Sequence, residues 1–225
     1  MQDPAQGMVL SYKTVYKGGT AEIVEKKSRF IAHIAPAGSE EEAVRFIEEK
    51  RKAFWDARHN CHAFTVGLAP QMSRCSDDGE PAQTAGKPML DVLLGAGLKN
   101  TVVVVTRYFG GTLLGTGGLV RAYSSAVRAG LEASVVIEKQ LCSRMKIRMD
   151  YSMLGKIQFL AADLQLPVVS AAYTDLAEME VLVPMPAKDR FLKKITEASG
   201  GKIIPEEEEI CYGAQADGQT IVFPL

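Results

Sequence analysis

Two groups of residues in this chain could do chemistry. The first is acidic and nucleophilic: DARHNCH at 56–62 gathers His59, Asn60, Cys61 and His62, and SDDGEP at 76–81 sets Asp77, Asp78 and Glu80 close together. Carboxylates so near one another could hold Mg²⁺ or serve as acid and base, and a Cys beside a His could form a nucleophilic dyad. The second group suits anions. Gly110, Gly111, Gly115, Gly117 and Gly118 follow the strand-like TVVVVTRY at 101–108, with Lys87, Arg107 and Arg121 nearby in sequence. Glycines let another molecule approach the backbone amides, and a helix opening at Thr116 would add unsatisfied N–H groups and the positive end of its dipole.

Each group also has a plainer use. On a strand His59 and Cys61 share one face while Asn60 and His62 share the other, so Cys61 and His62 point apart. Cys61 then reads as a small buried residue and His59 as a hydrogen-bonded one. No ligand spacing matches a zinc module. Asp-Gly and Glu-Pro are turn chemistry, and the carboxylates could instead orient Arg107, Arg121 or Lys87 towards one pocket. The glycines could simply make a tight strand-to-helix crossing. They are not a known nucleotide fingerprint: G-x-x-x-x-G-K-[ST] is absent, and the run from Gly115 breaks G-x-G-x-x-G at its last glycine.

The reading drawn from these residues is an anion or nucleic-acid site made of Lys87, Arg107, Tyr108, Gly110, Gly111, Gly115, Thr116, Gly117, Gly118 and Arg121. Tyr108 or Phe109 would stack on a base. His59, Asn60, Asp77, Asp78 and Glu80 form its supporting pocket. No catalytic residue, metal ligand or cofactor is assigned. The rival reading is a hydrolase or phosphoryl-transfer enzyme using Asp77, Asp78, Glu80 and His59; a small-ligand sensor is a further alternative.

The elements that must position these groups follow from periodicity. Residues 11–16 and 20–24, split by Gly18 and Gly19, read as a hairpin, with 29–35 as a third strand. Ser39 and Glu42 have capping-box spacing, so a helix runs to about Phe54 with Ala43, Ile47 and Phe54 inward. Residues 61–68 form a strand, 69–87 a long loop, and Pro88 sits in the first turn of a helix ending near Gly95 or Gly97. The unbroken Val102–Val105 predicts a strand packed on both faces. The helix after the glycines buries Leu119, Tyr123, Ala126, Val127, Gly130 and Leu131. Beyond Glu138 the pattern restarts: strand 140–150, helix 152–164, strands 167–173 and 178–183, helix 187–199, strand 201–205, a βαββαβ order. The acidic run Glu206–Glu209 reads as a solvated edge, and the tail as a terminal strand.

The fold class expected is therefore α+β in two domains, 1–137 and 138–225: an N-terminal α+β sandwich, mostly antiparallel with helices on one face, and a C-terminal ferredoxin-like βαββαβ domain. Over the 225 residues, 47% are hydrophobic and 24% charged, ordinary for a globular protein, and the formal net charge of -1 excludes a histone-like polybasic binder. Four cysteines without C-x-x-C spacing suggest reduced thiols. No apolar run is long enough for a membrane span and the start MQDPAQG has no signal-like core, so a cytoplasmic location and no membrane partner are expected.

DARHNC at 56–61, SDDGEP at 76–81, TAGKPML at 84–90 and TRYFGGTLLGTGGLVRAY at 106–123 occur in the order found in the IMPACT family. The chain resembles its bacterial YigZ-type branch over about 20–133, and YSMLGKI at 151–157 is similar to the smaller domain that follows in bacterial members. The resemblance implies a first domain like the second domain of a small-subunit ribosomal protein, and a second like domain V of elongation factor G. Both comparisons point to RNA or the ribosome by analogy of fold. Eukaryotic relatives regulate translation during amino-acid starvation through a ribosome-associated partner of a stress kinase. They use an additional N-terminal domain not expected here, so that partner is not carried over. His62 falls where the family varies, and the family supplies no catalytic residues. The expectation is a non-enzymatic, translation-associated binding protein whose partner is RNA or the ribosome, with a small-molecule anion as the other partner class.

Overall fold

A computed structural model describes residues 7–225. The chain divides into two compact units, Tyr12–Glu138 and a second made of Lys139–Leu225 with residues 7–11. The early residues join the second unit through hydrogen bonds: Leu141 N donates to Leu10 O and Tyr212 Oη donates to Val9 O, both at 2.8 Å.

The first unit is built on a five-stranded antiparallel sheet ordered β2-β3-β7-β4-β5, where β2 is Thr20–Glu25, β3 Ser28–Pro36, β4 His59–Val66, β5 Met72–Ser76 and β7 Thr101–Tyr108. The four valines of β7 face alternately. Val103 and Val105 pack with α2 (Gly86–Gly95) and α3 (Thr116–Glu132), while Val102 and Val104 pack under α1 (Glu40–Ala53). Helices therefore cover both faces of this sheet rather than one, as a strand with no polar alternation requires. Within the larger core Tyr123 meets Phe30 edge-to-face with ring centroids 5.1 Å apart. Burying side chains of this size contributes about 1.5–3 kcal/mol each.

Two local expectations change. Residues 11–16 and 20–24 do not pair as a hairpin. β1 (Ser11–Lys17) runs parallel to the short β6 (Leu98–Lys99), and the hairpin lies between β2 and β3, closed by Lys26 and Lys27 at φ 46° and 67°. The Gly18-Gly19 pair serves close passage instead: a Cβ on Gly18 would lie 2.1 Å from Ile34 O, and Ile34 N donates to Gly19 O. The long loop also contains β5, an edge strand whose sequence MSRCS shows no apolar alternation.

In the second unit five strands pair antiparallel in the order β12-β11-β8-β10-β9, namely β8 (Val135–Met149), β9 (Val168–Tyr173), β10 (Ala177–Pro184), β11 (Glu206–Ala216) and β12 (Gln219–Phe223). With α4 (Tyr151–Asp163) and α5 (Lys188–Ser199) they give the ferredoxin-like βαββαβ arrangement, extended by β12 at one edge. Met145, Ile147 and Met149 face the helices with Phe191 and Ile195. The closing strand is β11 rather than 201–205, so the acidic run lies inside a strand. Glu206 pairs in register with Lys146, and Glu209 with Arg144, which favours that register over the shorter one. No helix among the described residues is long and apolar enough to cross a membrane.

Candidate anion cleft at the start of the third helix

The strand β7 delivers Arg107 and Tyr108 to opposite faces of the sheet, and the chain then turns through the glycines into α3. The glycines divide by role. At Gly110 a Cβ would lie 2.0 Å from the Lys27 carbonyl carbon, and its N–H donates to Ser28 Oγ at 3.1 Å, so this position serves packing. Gly118 is also tight, against Leu114. Around Gly111, Gly115 and Gly117 there is open space or only the Arg121 guanidinium. Gly115 is the residue before the helix, at φ 72°, a value favouring glycine; Thr116 is the first helical residue rather than the cap.

The three helices of this unit begin differently. At α1 the capping box forms as its spacing predicts: Ser39 Oγ accepts from Glu42 N at 3.3 Å and Glu42 Oε2 accepts from Gly38 N at 2.7 Å. At α2 the acceptor comes from the acidic loop, for Asp77 takes N–H donors from Gln83, Ala85 and Gly86 at 2.8–2.9 Å. Burial works to raise the Asp77 carboxyl, and those three hydrogen bonds outweigh it and hold it below the usual carboxylate range. At α3 no side chain caps the first turn. Its amides keep their donor capacity.

The other acidic residues are equally occupied. Asp78 accepts from Asn60 N at 2.7 Å and from Arg51 Nη2 at 3.0 Å, while its carbonyl lies 2.8 Å from His59 Nδ1. A carbonyl only accepts, so Nδ1 carries a hydrogen and donates it. Asn60 is turned to the other face, where Thr106 Oγ1 donates to its Oδ1 at 2.7 Å. Glu80 is buried against Arg107, Nη1 to Oε1 2.6 Å, and the same oxygen accepts from Tyr123 Oη at 2.8 Å. Burial pushes the Tyr123 phenol and the Cys61 thiol far above their ordinary values, so both stay protonated; Cys61 Sγ lies 3.3 Å from Tyr123 Oη. Such a thiol is a poor nucleophile. Among the described residues no three His, Cys, Asp or Glu side chains gather as metal ligands.

Beside the start of α3 lies a cleft of about 420 Å³ lined by Arg58, His59, Gly79, Glu80, Pro81, Arg107, Phe109, Leu113, Leu114, Gly115, Thr116 and Leu119. It brings together Arg107, Gly115 and Thr116 with His59 and Glu80. Arg107 is only 6% exposed and is held between two rings, its Cζ 5.3 Å from the Phe30 centroid and 5.7 Å from that of Phe109. Its Nε has no hydrogen-bond partner. Phe109 itself is half exposed, so the guanidinium fixes one ring face and leaves the ring accessible.

Several sequence-selected residues stand elsewhere. Lys87 pairs with Asp91 along α2. Tyr108 donates to Asp56 at 2.8 Å under the Arg29 guanidinium, and Asn60, Asp77 and Asp78 form the structural supports already described. Gly110, Gly111 and Gly117 do not line the cleft. Gly118 and Arg121 line a separate, neighbouring one. In their place the fold supplies Arg58, an exposed cation that forms no salt bridge among the described residues. Its only sign in the sequence is its place before His59 in DARHNC.

The Impact N-terminal domain pattern matches residues 26–131, and a domain of unknown function (DUF1949) matches 147–202. The IMPACT family member YvyE of Bacillus subtilis is 42% identical over 205 residues, covering 91% of this chain and 94% of that protein. YigZ of Escherichia coli, also an IMPACT family member, is 38% identical over 79% of this chain and 88% of its own. The crystal structure of a hypothetical protein, 34% identical, covers 90% of this chain and 99% of its own with a TM-score of 0.57. With matching patterns on both units and relatives aligned over nearly their whole lengths, the chain belongs to the IMPACT family, in its bacterial YigZ-type branch.

Proposed function

We propose that this protein is a translation-associated binding protein of the cytoplasm that contacts RNA or the ribosome through the cleft at the start of α3, without catalysis of its own. One observation carries the reading: the only uncapped helix start among the three in its unit opens onto a cleft that also presents Arg58, a cation with no carboxylate partner among the described residues. Oriented amides and an unpaired guanidinium complement a phosphate. The family resemblance, with its translational regulators among eukaryotic relatives, supplies the setting, and the ferredoxin-like fold of the second unit is compatible with it by analogy.

An enzyme built on Asp77, Asp78, Glu80 and His59 is the weaker reading, because each carboxylate is already engaged by backbone donors or a basic side chain. The cleft volume does fall in the range of small-ligand pockets, which keeps a small anionic ligand as the second reading.

Co-sedimentation with ribosomes and gel shift with structured RNA, both at low salt, test the proposal. Arg58→Ala should weaken binding across all sequences and lower the salt slope by about one phosphate. Arg107 is unsuitable for this test because its removal would unpair Glu80. Absence of binding to RNA and ribosomes, or unchanged binding by Arg58→Ala, overturns the reading. A large thermal shift with free nucleotides in the absence of RNA binding would favour the small-ligand reading instead.

A further inference from the structure

The start of α3 is a ridge between two clefts. On its other side a second cleft of about 250 Å³ is lined by Ile23, Glu25, Lys26, Leu114, Gly118, Arg121, Ala122 and Ser125, and Leu114 is shared with the first. Lys26 stands in left-handed conformation at the β2–β3 turn, and among the described residues neither it nor Arg121 forms a salt bridge. Glu25 is the one carboxylate at this rim. The first cleft offers an accessible aromatic ring at Phe109, Arg58 at its edge and the buried Arg107 with an unpartnered Nε; the second offers two cations and a hydroxyl but no aromatic.

Building on the RNA reading, we infer that the ligand is single-stranded RNA, crossing the start of α3 with one unstacked base against Phe109 and a neighbouring phosphate between Lys26 and Arg121. A duplex hides its base faces within the stack and would leave Phe109 unused. A mononucleotide would leave the second cleft unused. Only a flexible strand satisfies both clefts, with the uncapped amides of Thr116, Gly117 and Gly118 lying between them. The ring takes any base, because each has a π-face, so the site discriminates strandedness more than sequence.

Fluorescence anisotropy with a labelled octauridine, the blunt duplex of the same length and uridine monophosphate as competitor tests this on the full chain. The octamer should bind at least roughly tenfold more tightly than the duplex, and Phe109→Leu, which keeps apolar bulk, should weaken it roughly tenfold without altering the salt slope. The double variant Lys26→Ala/Arg121→Ala should leave the Phe109 effect intact and lower the slope by about 0.7, the value for one phosphate on a single strand. Equal binding of duplex and single strand, an unchanged slope in the double variant, or full competition by the mononucleotide overturns the inference. In the first two cases, retained sensitivity to Arg58→Ala leaves the RNA reading standing. No binding in any arm removes both.

Discussion

The two units place their most distinctive ion pairs differently. In the first, Arg107 and Glu80 meet at 2.6 Å with side chains only 7% and 3% exposed, and Tyr123 completes the buried group. In the second, Arg144, Lys146 and Arg148 on β8 alternate with the helix-facing methionines and isoleucine and are flanked by Glu178 and Glu180 on β10 and by the acidic run on β11. That sheet face neutralises itself with partly solvated pairs. Among the described residues both units also hold cations without a salt bridge, such as Lys193 and Lys202 in the second; what sets Arg58, Lys26 and Arg121 of the first apart is that they line the clefts at the start of α3. Ion pairing here marks where a polyanion is not expected to bind.

The sharpest break in the comparison comes from Glu80→Gln. It leaves Arg107 charged, buried and without its carboxylate, and breaking such a pair from one side costs about 3–5 kcal/mol. Urea unfolding should show that loss, with faster hydrogen exchange through β4, β7 and α3 and unchanged exchange in 139–225. A loss below about 1 kcal/mol would mean the pair behaves like a surface one.

Asp77→Ala comes next, because three backbone donors at the start of α2 lose one acceptor group. A cost of about 2 kcal/mol is expected, the upper end for helix caps. Exchange should rise first at 83–88.

Acid distinguishes the units as well. All three histidines, at 33, 59 and 62, lie in the first unit. Burial, assisted by Lys50, lowers His33 to about 4, and burial with Arg51 lowers His62. Below an ordinary histidine pKa the unfolded chain binds the proton that folded His33 refuses, so stability falls as pH drops from about 6.5 towards 4, with on the order of 2 kcal/mol already lost for His33 by pH 5. Asp77, depressed in the folded state, adds a loss only below the ordinary carboxylate range. Exchange at pH 5 compared with pH 7, corrected for intrinsic rates, should loosen the first unit selectively. Equal loosening of both would break this part of the comparison.

What was legible in the sequence is what local chemistry decides. Four successive valines announce a strand buried twice over, Ser39 with Glu42 announces a helix start, and alternation separates His59 and Cys61 from Asn60 and His62. What was not legible depends on distant partners. β1 pairs with β6 across more than eighty residues, and the Lys26-Lys27 turn lacks the Asn-Gly signal that such hairpins usually carry. The acidic run looked like an edge because its cations lie about sixty residues earlier on β8. The same limit governs the site: Arg58 and Arg107 are alike in sequence, and only the fold buries one against Glu80 and leaves the other in solvent.

The smallest stability effect belongs to the ladder of the second unit, and it tests the comparison most directly. Glu178 pairs with Lys146 and Arg148 at 3.0 and 2.9 Å, Glu206 with Arg148 at 3.6 Å, and Glu209 with Arg144 at 3.0 Å. Replacing the three glutamates by glutamine should lower the urea midpoint least of all these changes, and less still at high salt, because solvent and counterions screen such pairs. It also shifts the formal net charge from -1 to +2 and uncovers cations on one sheet face. If self-neutralisation is what keeps nucleic acid off this face, the triple variant should gain salt-sensitive RNA binding that Arg58→Ala does not abolish. Binding that stays unchanged and wholly dependent on Arg58 would show that free charge alone is insufficient, and that the cleft of the first unit owes its selectivity to its aromatic wall and uncapped amides.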